Sequence, residues 1–304
     1  MVAIECQGLT KDFHVGFWRK RPVRALDALE LEVAEGEIFG LLGHNGAGKT
    51  TTIKLLLRLI FPTSGTARIL GRPLGAPDLA ARIGYLPENP YFYDYLKCRE
   101  LVEYYAELAG VPAGERRARA QEALARVGMA EAMEQPLRKC SKGMVQRVGL
   151  AQAIVHRPQL AILDEPMSGL DPAGRAEVRD LILELRQQGA TVLFSTHILS
   201  DAEQICDRVA ILKRGRLAFA GPLDAVAGRE ESEIEIVFRE RAGGGLGLVR
   251  RETIAAAELW SRLEALRAKQ AQIVSVNPAR RRLEDLFRAE PAERAAGRGA
   301  GQGN

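Results

Sequence analysis

One segment constrains this chain more than any other: Gly43-His44-Asn45-Gly46-Ala47-Gly48-Lys49-Thr50. Before it runs Ile38-Phe39-Gly40-Leu41-Leu42, an apolar stretch typical of a strand buried on both faces. After it a helical pattern extends from Lys49 to about Leu59. A GxxxxGK[ST] pattern between a strand and a helix curls the backbone until successive N–H groups converge on one point. The helix N-terminus adds partial positive charge there. The result is a cradle for phosphate. Lys49 is placed to reach the β- and γ-phosphates of a nucleotide, and the Thr50 hydroxyl to ligate Mg²⁺. Thr51 follows on the same turn and is counted with the cradle.

A second motif gives the first its chemistry. Leu160-Ala161-Ile162-Leu163 reads as another buried strand, and it ends in Asp164-Glu165. Open α/β sheets bind ligands at the C-terminal ends of their strands. Asp164 is then positioned to hold the Mg²⁺ shell and Glu165 to accept a proton from water. An apolar run ending in acids says little alone; its weight comes from the phosphate loop.

The rest of the chain supplies a setting for these motifs. Ala3 to Gln7 and Leu29 to Val33 alternate as strands, with Gly16-Phe17-Trp18-Arg19-Lys20-Arg21-Pro22 as a basic hairpin loop between them. From Tyr91 to about Arg157 the pattern is helical. Gly174 to Gln188 reads as a helix, Thr191 to Phe194 as a strand, and Val209 to Ala218 as a hairpin turning at Arg214-Gly215. Strands alternating with helices imply a mainly parallel sheet. The pattern changes after about Gly228. Glu233 to Phe238 alternates as a strand, Gly243-Gly244-Gly245 is a loop, Ala255 to Lys269 a helix and Ile273 to Val276 a strand. Residues 291–304, rich in Gly, Ala and Arg, have the composition of a disordered tail.

Composition narrows the function classes. No apolar stretch approaches the roughly 18–20 residues that span a bilayer, and no signal peptide is visible at the start. Ile53 to Phe61, the greasiest stretch, is interrupted by Lys54 and Arg58 and reads as a buried helix. A net charge of +4 gives no argument for nucleic acid or lipid. Cys6, Cys98, Cys140 and Cys206 form no CxxC or Cys/His cluster, which fits a reduced intracellular protein without structural zinc.

The two motifs together resemble those of ABC-type ATPases, and in particular those serving bacterial exporters whose permeases are separate chains. Cys140-Ser141-Lys142-Gly143-Met144 stands where that family carries its LSGGQ signature; Ser141 and Gly143 keep the pattern, while Cys140, Lys142 and Met144 depart from it. Read from the residues alone, a serine and a glycine opening a helix make another anion cradle, or simply a helix cap. The resemblance implies that this cradle meets the γ-phosphate held by an opposite subunit. It also implies a D-loop at Met167-Ser168-Gly169-Leu170-Asp171, a switch histidine at His197 contacting the γ-phosphate, and an adenine-stacking aromatic at Phe13, where tyrosine is usual. Tyr85-Leu86-Pro87-Glu88-Asn89 matches the Q-loop, with Glu88 in place of glutamine as a further Mg²⁺ ligand. An aromatic ending a strand also suits a core, so Phe13 has two readings. Tyr91, Phe92, Tyr93 and Tyr95 likewise suit either a packed helical region or an anchor for a permease helix.

The resemblance covers roughly residues 3–222; Leu283-Glu284-Asp285-Leu286-Phe287 resembles the end of the extension found in this branch. The expected fold is an α/β P-loop NTPase with a RecA-like core, an antiparallel β edge and a small C-terminal α/β appendage. Its domains are an ATPase domain at 1–228 with a helical subdomain at about 92–157, and an accessory domain at 229–290. The expected activity is ATP hydrolysis, with Lys49 and Mg²⁺ neutralising the phosphates, Glu165 polarising water and His197 contacting the γ-phosphate. The expected partners are membrane permease subunits and a second copy or homologous ATPase subunit, with no nucleic acid, at the cytoplasmic face of the cell membrane. The rival class is a soluble ABC ATPase without a permease, in cofactor assembly, repair or ribosome work; ribosome-acting members usually carry two such domains in tandem and repair members long coiled-coil insertions, and neither is visible in this sequence. A P-loop kinase would give no reason for Ser141-Lys142-Gly143-Met144.

Overall fold

The computed structural model describes residues 1–16, 21–223, 229–242 and 245–280. The chain divides into two compact units, Met1–Leu223 and Asp224–Asn304.

The first unit is built on a sheet ordered β10-β9-β3-β8-β7-β6. Its strands are β3 (Ile38–Leu42), β6 (Ile83–Leu86), β7 (Leu160–Asp164), β8 (Thr191–Thr196), β9 (Arg208–Lys213) and β10 (Arg216–Pro222). From β9 to β6 every pairing is parallel, and only β10 is antiparallel. Every residue of β3, β7 and β8 is buried, as a parallel strand covered on both faces requires. A second sheet, ordered β2-β1-β4-β5, is antiparallel: β1 (Val2–Val15), β2 (Arg21–Ala34), β4 (Ser64–Ile69) and β5 (Arg72–Pro73). The sheets share one core, in which Phe39, Leu41, Ile162 and Leu193 of the parallel sheet join Ile4, Leu9, Leu29 and Ile69 of the antiparallel one. Helix α1 (Lys49–Leu56) adds Ile53 and Leu55 to it.

Between β6 and β7 lie α2 (Cys98–Leu108), α3 (Ala113–Arg126) and α4 (Lys142–Ile154). Helix α2 buries Leu101, Val102 and Ala106, one stripe at helical spacing. The far end of α4 lies against β6. A Cβ on Gly84 would overlap the Ala153 carbonyl, so only glycine permits that approach, and Gln152 Nε2 donates to Tyr85 O at 2.6 Å. Helices α5 (Pro172–Gln187) and α6 (Leu199–Ile205) complete the unit.

The second unit holds a three-stranded antiparallel sheet, β12-β11-β13, made from β11 (Arg229–Ala242), β12 (Gly245–Ala255) and β13 (Gln272–Arg280). Helix α7 (Leu259–Ala268) lays Leu266 on Ile236 and Phe238.

Four expectations need correction. Strand β12 was unexpected, and the helix expected from Ala255 begins only at Leu259, after a short 3₁₀ turn. Val249-Arg250-Arg251-Glu252 does not alternate. It becomes a strand because β11 supplies its hydrogen bonds, with Arg251 paired to Glu235 at 3.2 Å. The first two strands are longer than their alternation suggested, since they support each other as one hairpin. The stretch from Ile53 is not wholly buried: α1 ends at Leu56, and Leu59 and Phe61 are exposed. Apart from these four, Cys98 and Cys140, far apart in sequence, place their sulfurs 3.6 Å apart, and burial, then the neighbouring thiol, push the Cys98 thiol up to about 12. The tail at 291–304, the Leu283–Phe287 motif and the tip of the basic hairpin at 17–20 lie outside the described residues.

Candidate nucleotide-binding site

Strand β3 ends at Leu42 and the chain turns through Gly43 to Gly48 into α1. Gly43, Ala47, Gly48 and Lys49 are buried, while His44, Asn45 and Gly46 are exposed; Thr50 and Thr51 are half-buried. Gly48 has φ +110°, open only to glycine, and its N-cap position lets α1 start without a side-chain cap. The loop is braced from behind. Gly215, at the β9–β10 turn with φ +79°, donates its N–H to Ala47 O at 2.9 Å and accepts from Asp27 N–H at 2.8 Å. Inside the loop Ala47 N–H donates to His44 O, and Thr52 donates twice to Gly48 O.

Lys49 curls back on this loop. Its Nζ donates to Gly43 O at 2.7 Å and lies 3.2 Å from Glu165 Oε1. His197, just past β8, brings Nδ1 to 2.9 Å from the other oxygen, Glu165 Oε2. The structure thus brings Lys49, from the start of α1, and His197, from just past β8, to the two oxygens of the Glu165 carboxylate. Asp164 is fully buried beside them. Ser195 Oγ donates to its Oδ1 at 2.5 Å, and the Thr50 hydroxyl is a further partner. Burial holds the Asp164 carboxyl above its ordinary value; the Ser195 and Thr50 hydrogen bonds oppose this, and the Glu165 charge adds to it.

The Asp164 Oδ2 atom is buried without a hydrogen-bond partner. An unsatisfied buried carboxylate oxygen next to a threonine hydroxyl fits a hard cation that prefers oxygen ligands. Among the described residues no group of three or more His, Cys, Asp or Glu side chains forms a ready metal cage. That suits Mg²⁺, which usually keeps waters and takes one or two carboxylates plus phosphate oxygens. Glu88 stands exposed in the loop after β6.

Ser141 caps α4, its Oγ accepting from Met144 N–H at 3.2 Å. Ser141 and Lys142 are exposed, with Gly143 and Met144 partly so. Their close neighbours are Gly169, beside the Lys142 stem, and Leu170, against Gly143. Asp171 caps α5 by accepting from Gly174 N–H at 2.9 Å. Phe13 stands exposed on β1 opposite Val23, with the Lys11 ammonium 5.2 Å from its ring centre. Tyr91, Tyr93 and Tyr95 are exposed, and Phe92 packs edge-on against Tyr105.

Two residues that sequence reasoning left out are now prominent. Ser195 sits between Asp164 and Glu165, and Gln146, buried in α4, donates to Pro166 O at 3.1 Å. The signal for Ser195 was a hydroxyl in an otherwise apolar buried strand; for Gln146 it was an amide on the buried face of a helix.

A parallel sheet with a phosphate loop after one strand and an Asp-Glu pair ending a neighbouring strand defines a P-loop NTPase. Known proteins narrow this further. Residues 26–168 match the family described as ABC transporter. An uncharacterized ABC transporter ATP-binding protein of Synechocystis sp. is 42% identical over 302 residues, covering 96% of this chain and 85% of that protein. The bacitracin transport ATP-binding protein of Bacillus licheniformis is 40% identical over 221 residues, covering 72% of this chain and 71% of that protein. Among solved structures, an ATP-binding subunit of an ABC transporter superposes with a TM-score of 0.65 at 32% identity, over 74% of this chain and 91% of that one. A dimeric ATP-binding cassette in a post-hydrolysis state with ADP and Pi gives 0.67 at 25% identity, over 72% and 98%. The chain belongs to the ATP-binding proteins of ABC transporters, and its activity is that of an ATPase.

Proposed function

We propose that two copies of this chain, or one copy and a homologous subunit, pair head-to-tail around two ATP molecules and drive export through a separate membrane permease. The observation that carries the pairing is the position of Ser141. It opens α4 at the surface, and among the described residues it hydrogen-bonds only its own helix. An exposed helix start with a free hydroxyl lone pair and N–H groups is an anion cradle offered outward. The opposite subunit's γ-phosphate is its complement. Phe13 stacks on adenine, and residues 43–51 hold the phosphates. Lys49 exchanges its carboxylate partner for phosphate oxygens, and Thr50, Asp164 and Glu88 hold Mg²⁺, which neutralises phosphate charge when bound. Glu165 takes the proton from water while His197 fixes its orientation. A transport role is supported by the relatives named for bacitracin transport, and export rather than import rests on the resemblance to export-type ATPases. None of the helices among the described residues is long and apolar enough to cross a membrane. The permease partner and the cytoplasmic face follow from the likeness to transporter ATP-binding proteins.

The test uses two substitutions. Glu165→Gln removes the base and lowers hydrolysis by about 10²–10⁴-fold, accumulating an ATP-bound dimer. Ser141→Arg lets each monomer bind ATP but blocks closure. Light scattering with Mg-ATP should find the dimer in Glu165→Gln and lose it in the double variant. A double variant that dimerises as well as Glu165→Gln would refute the head-to-tail arrangement. Copurification with a polytopic membrane protein, and transport by that complex in vesicles, tests the permease and the direction.

A further inference from the structure

We propose that Ser195 is a positioning residue for hydrolysis: it ties the metal-side acid, Asp164, to the water-side acid, Glu165, and holds the latter in a conformation it would not otherwise keep. The inference rests on Glu165 being the base.

Glu165 has φ +50°. An L-residue in the left-handed region costs roughly 1–2 kcal/mol. The next residue is Pro166, whose ring further disfavours helical geometry in the residue before it. Left alone, this peptide would relax to the extended form. Such a relaxation turns the Cα–Cβ bond away and carries the carboxylate off Lys49 and His197. Something must hold the peptide from both sides.

On the N–H side the holder is Ser195. Its Oγ accepts from Glu165 N–H at 3.0 Å and donates its own hydrogen to Asp164 Oδ1 at 2.5 Å. Those two bonds define the direction of the hydroxyl, since only an acceptor faces it on one side and only a donor on the other. The side chain is fully buried, so no water can replace it. On the carbonyl side, Glu165 O accepts from Ser168 N–H at 3.0 Å, and Gln146 Nε2 lies 3.5 Å from Glu165 O and donates to Pro166 O at 3.1 Å. Gln146 belongs to α4, the helix that Ser141 caps. The acid is thereby fixed by one hydroxyl from β8 and one amide from α4.

Neither residue touches the carboxylate of Glu165. Through Glu165 their effect therefore appears in the rate of the chemical step, while the bond of Ser195 to Asp164 adds a Mg²⁺-side effect that saturating Mg²⁺ removes. Misplacing a reacting group by about 1 Å costs on the order of 10²-fold in rate.

The experiment measures steady-state hydrolysis, binding of a fluorescent ATP analogue and thermal unfolding for the full chain and its variants. At saturating Mg²⁺, Ser195→Ala should lower kcat about 10²-fold while analogue affinity stays close to the parent's; the melting temperature falls by a few degrees, because a buried N–H and a buried carboxylate oxygen lose their partner. Ser195→Thr, which keeps the hydroxyl, should recover most of that loss. Gln146→Met, which keeps the length and removes the donor, should lower kcat in the same sense. In a Glu165→Gln background, Ser195→Ala should have no further effect, because the group it positions has already been neutralised. An equal fall in that background would overturn the proposal. So would a variant whose only defect is a raised Mg²⁺ requirement at an unchanged saturating rate, since that assigns Ser195 to Asp164 alone. Full hydrolysis by Glu165→Gln itself would instead refute Glu165 as the base, a separate failure read from a separate variant.

Discussion

Gly215 lies outside every motif that identifies the site, yet the phosphate loop leans on it. A Cβ built there falls 2.7 Å from Ala25 O, 2.9 Å from Ala25 C and 3.2 Å from Leu26 N. All three are backbone atoms of β2, so no side chain can swing aside. The residue also has φ +79°. Gly215→Ala therefore meets two penalties. The backbone conformation costs an alanine about 1–2 kcal/mol, and forcing a methyl into filled space adds about 1–3 kcal/mol. Gly110 separates the two, having φ +81° and nothing within 4 Å of its would-be Cβ. Gly110→Ala should show the conformational cost alone. At about 2–4 °C per kcal/mol for a unit of this size, Gly215→Ala should melt roughly 2–12 °C below Gly110→Ala. Because Gly215 N–H holds Ala47 O, the displaced turn also drags the loop. Binding of a fluorescent ATP analogue should weaken at least about tenfold, or 1.4 kcal/mol, in Gly215→Ala and stay unchanged in Gly110→Ala. Matched melting within about 1 °C would refute the steric argument. A melting shift without loss of ATP binding would refute the bracing of the loop.

Acid should find His156. Burial, opposed by the bond to Ile83 O, holds its imidazole below the ordinary value of about 6.5. A histidine depressed in the folded state is stabilising in its neutral form; that contribution is whole above pH ~6.5 and is lost as pH falls through the folded value. The fall in melting temperature between about pH 7.5 and about pH 5.5 should shrink in His156→Gln, and an unchanged fall would count against His156 as the sensor. Tyr91→Ala and Tyr95→Ala, at side chains 97% and 65% exposed, should leave melting and basal hydrolysis unaltered. If these rings anchor a permease, the same variants lose transport in the reconstituted complex; full transport by both would remove the tyrosines from that interface.

The sequence made the centre of the site legible because its chemistry is local. A phosphate loop needs its glycines, lysine and threonine within one turn of chain, and the strand before it needs only a run of apolar residues. The hairpin at Arg214-Gly215 could be read for the same reason. What escaped depends on contacts between distant segments. Ser195 gains meaning only when β8 lies beside β7, and Cys98 meets Cys140 only after α2 has packed. Strand β12 has little propensity of its own in Val249-Arg250-Arg251-Glu252 and is made by β11. The left-handed turn at Glu165 contradicts local preference outright, and it is maintained by partners more than 15 residues away in sequence, Gln146 and Ser195. The roles of Phe13, Glu88 and the signature segment come from resemblance.

The contact between Gly84 and Ala153 has a mechanical consequence. Near its C-terminal end α4 is fastened to the sheet by that backbone approach and by the Gln152–Tyr85 bond. Its other end carries Ser141 at the surface. The helix is therefore a lever with its fulcrum at β6, the strand next to the one that delivers Asp164. From Ala153 to Ser141 the arm is about 18 Å, at about 1.5 Å per residue, so a rotation of about 10° carries the serine through about 3 Å. Three ångströms separates a hydrogen bond from an open gap. A small change of tilt at a glycine contact is thus enough to make or break the proposed grip of Ser141 on a phosphate.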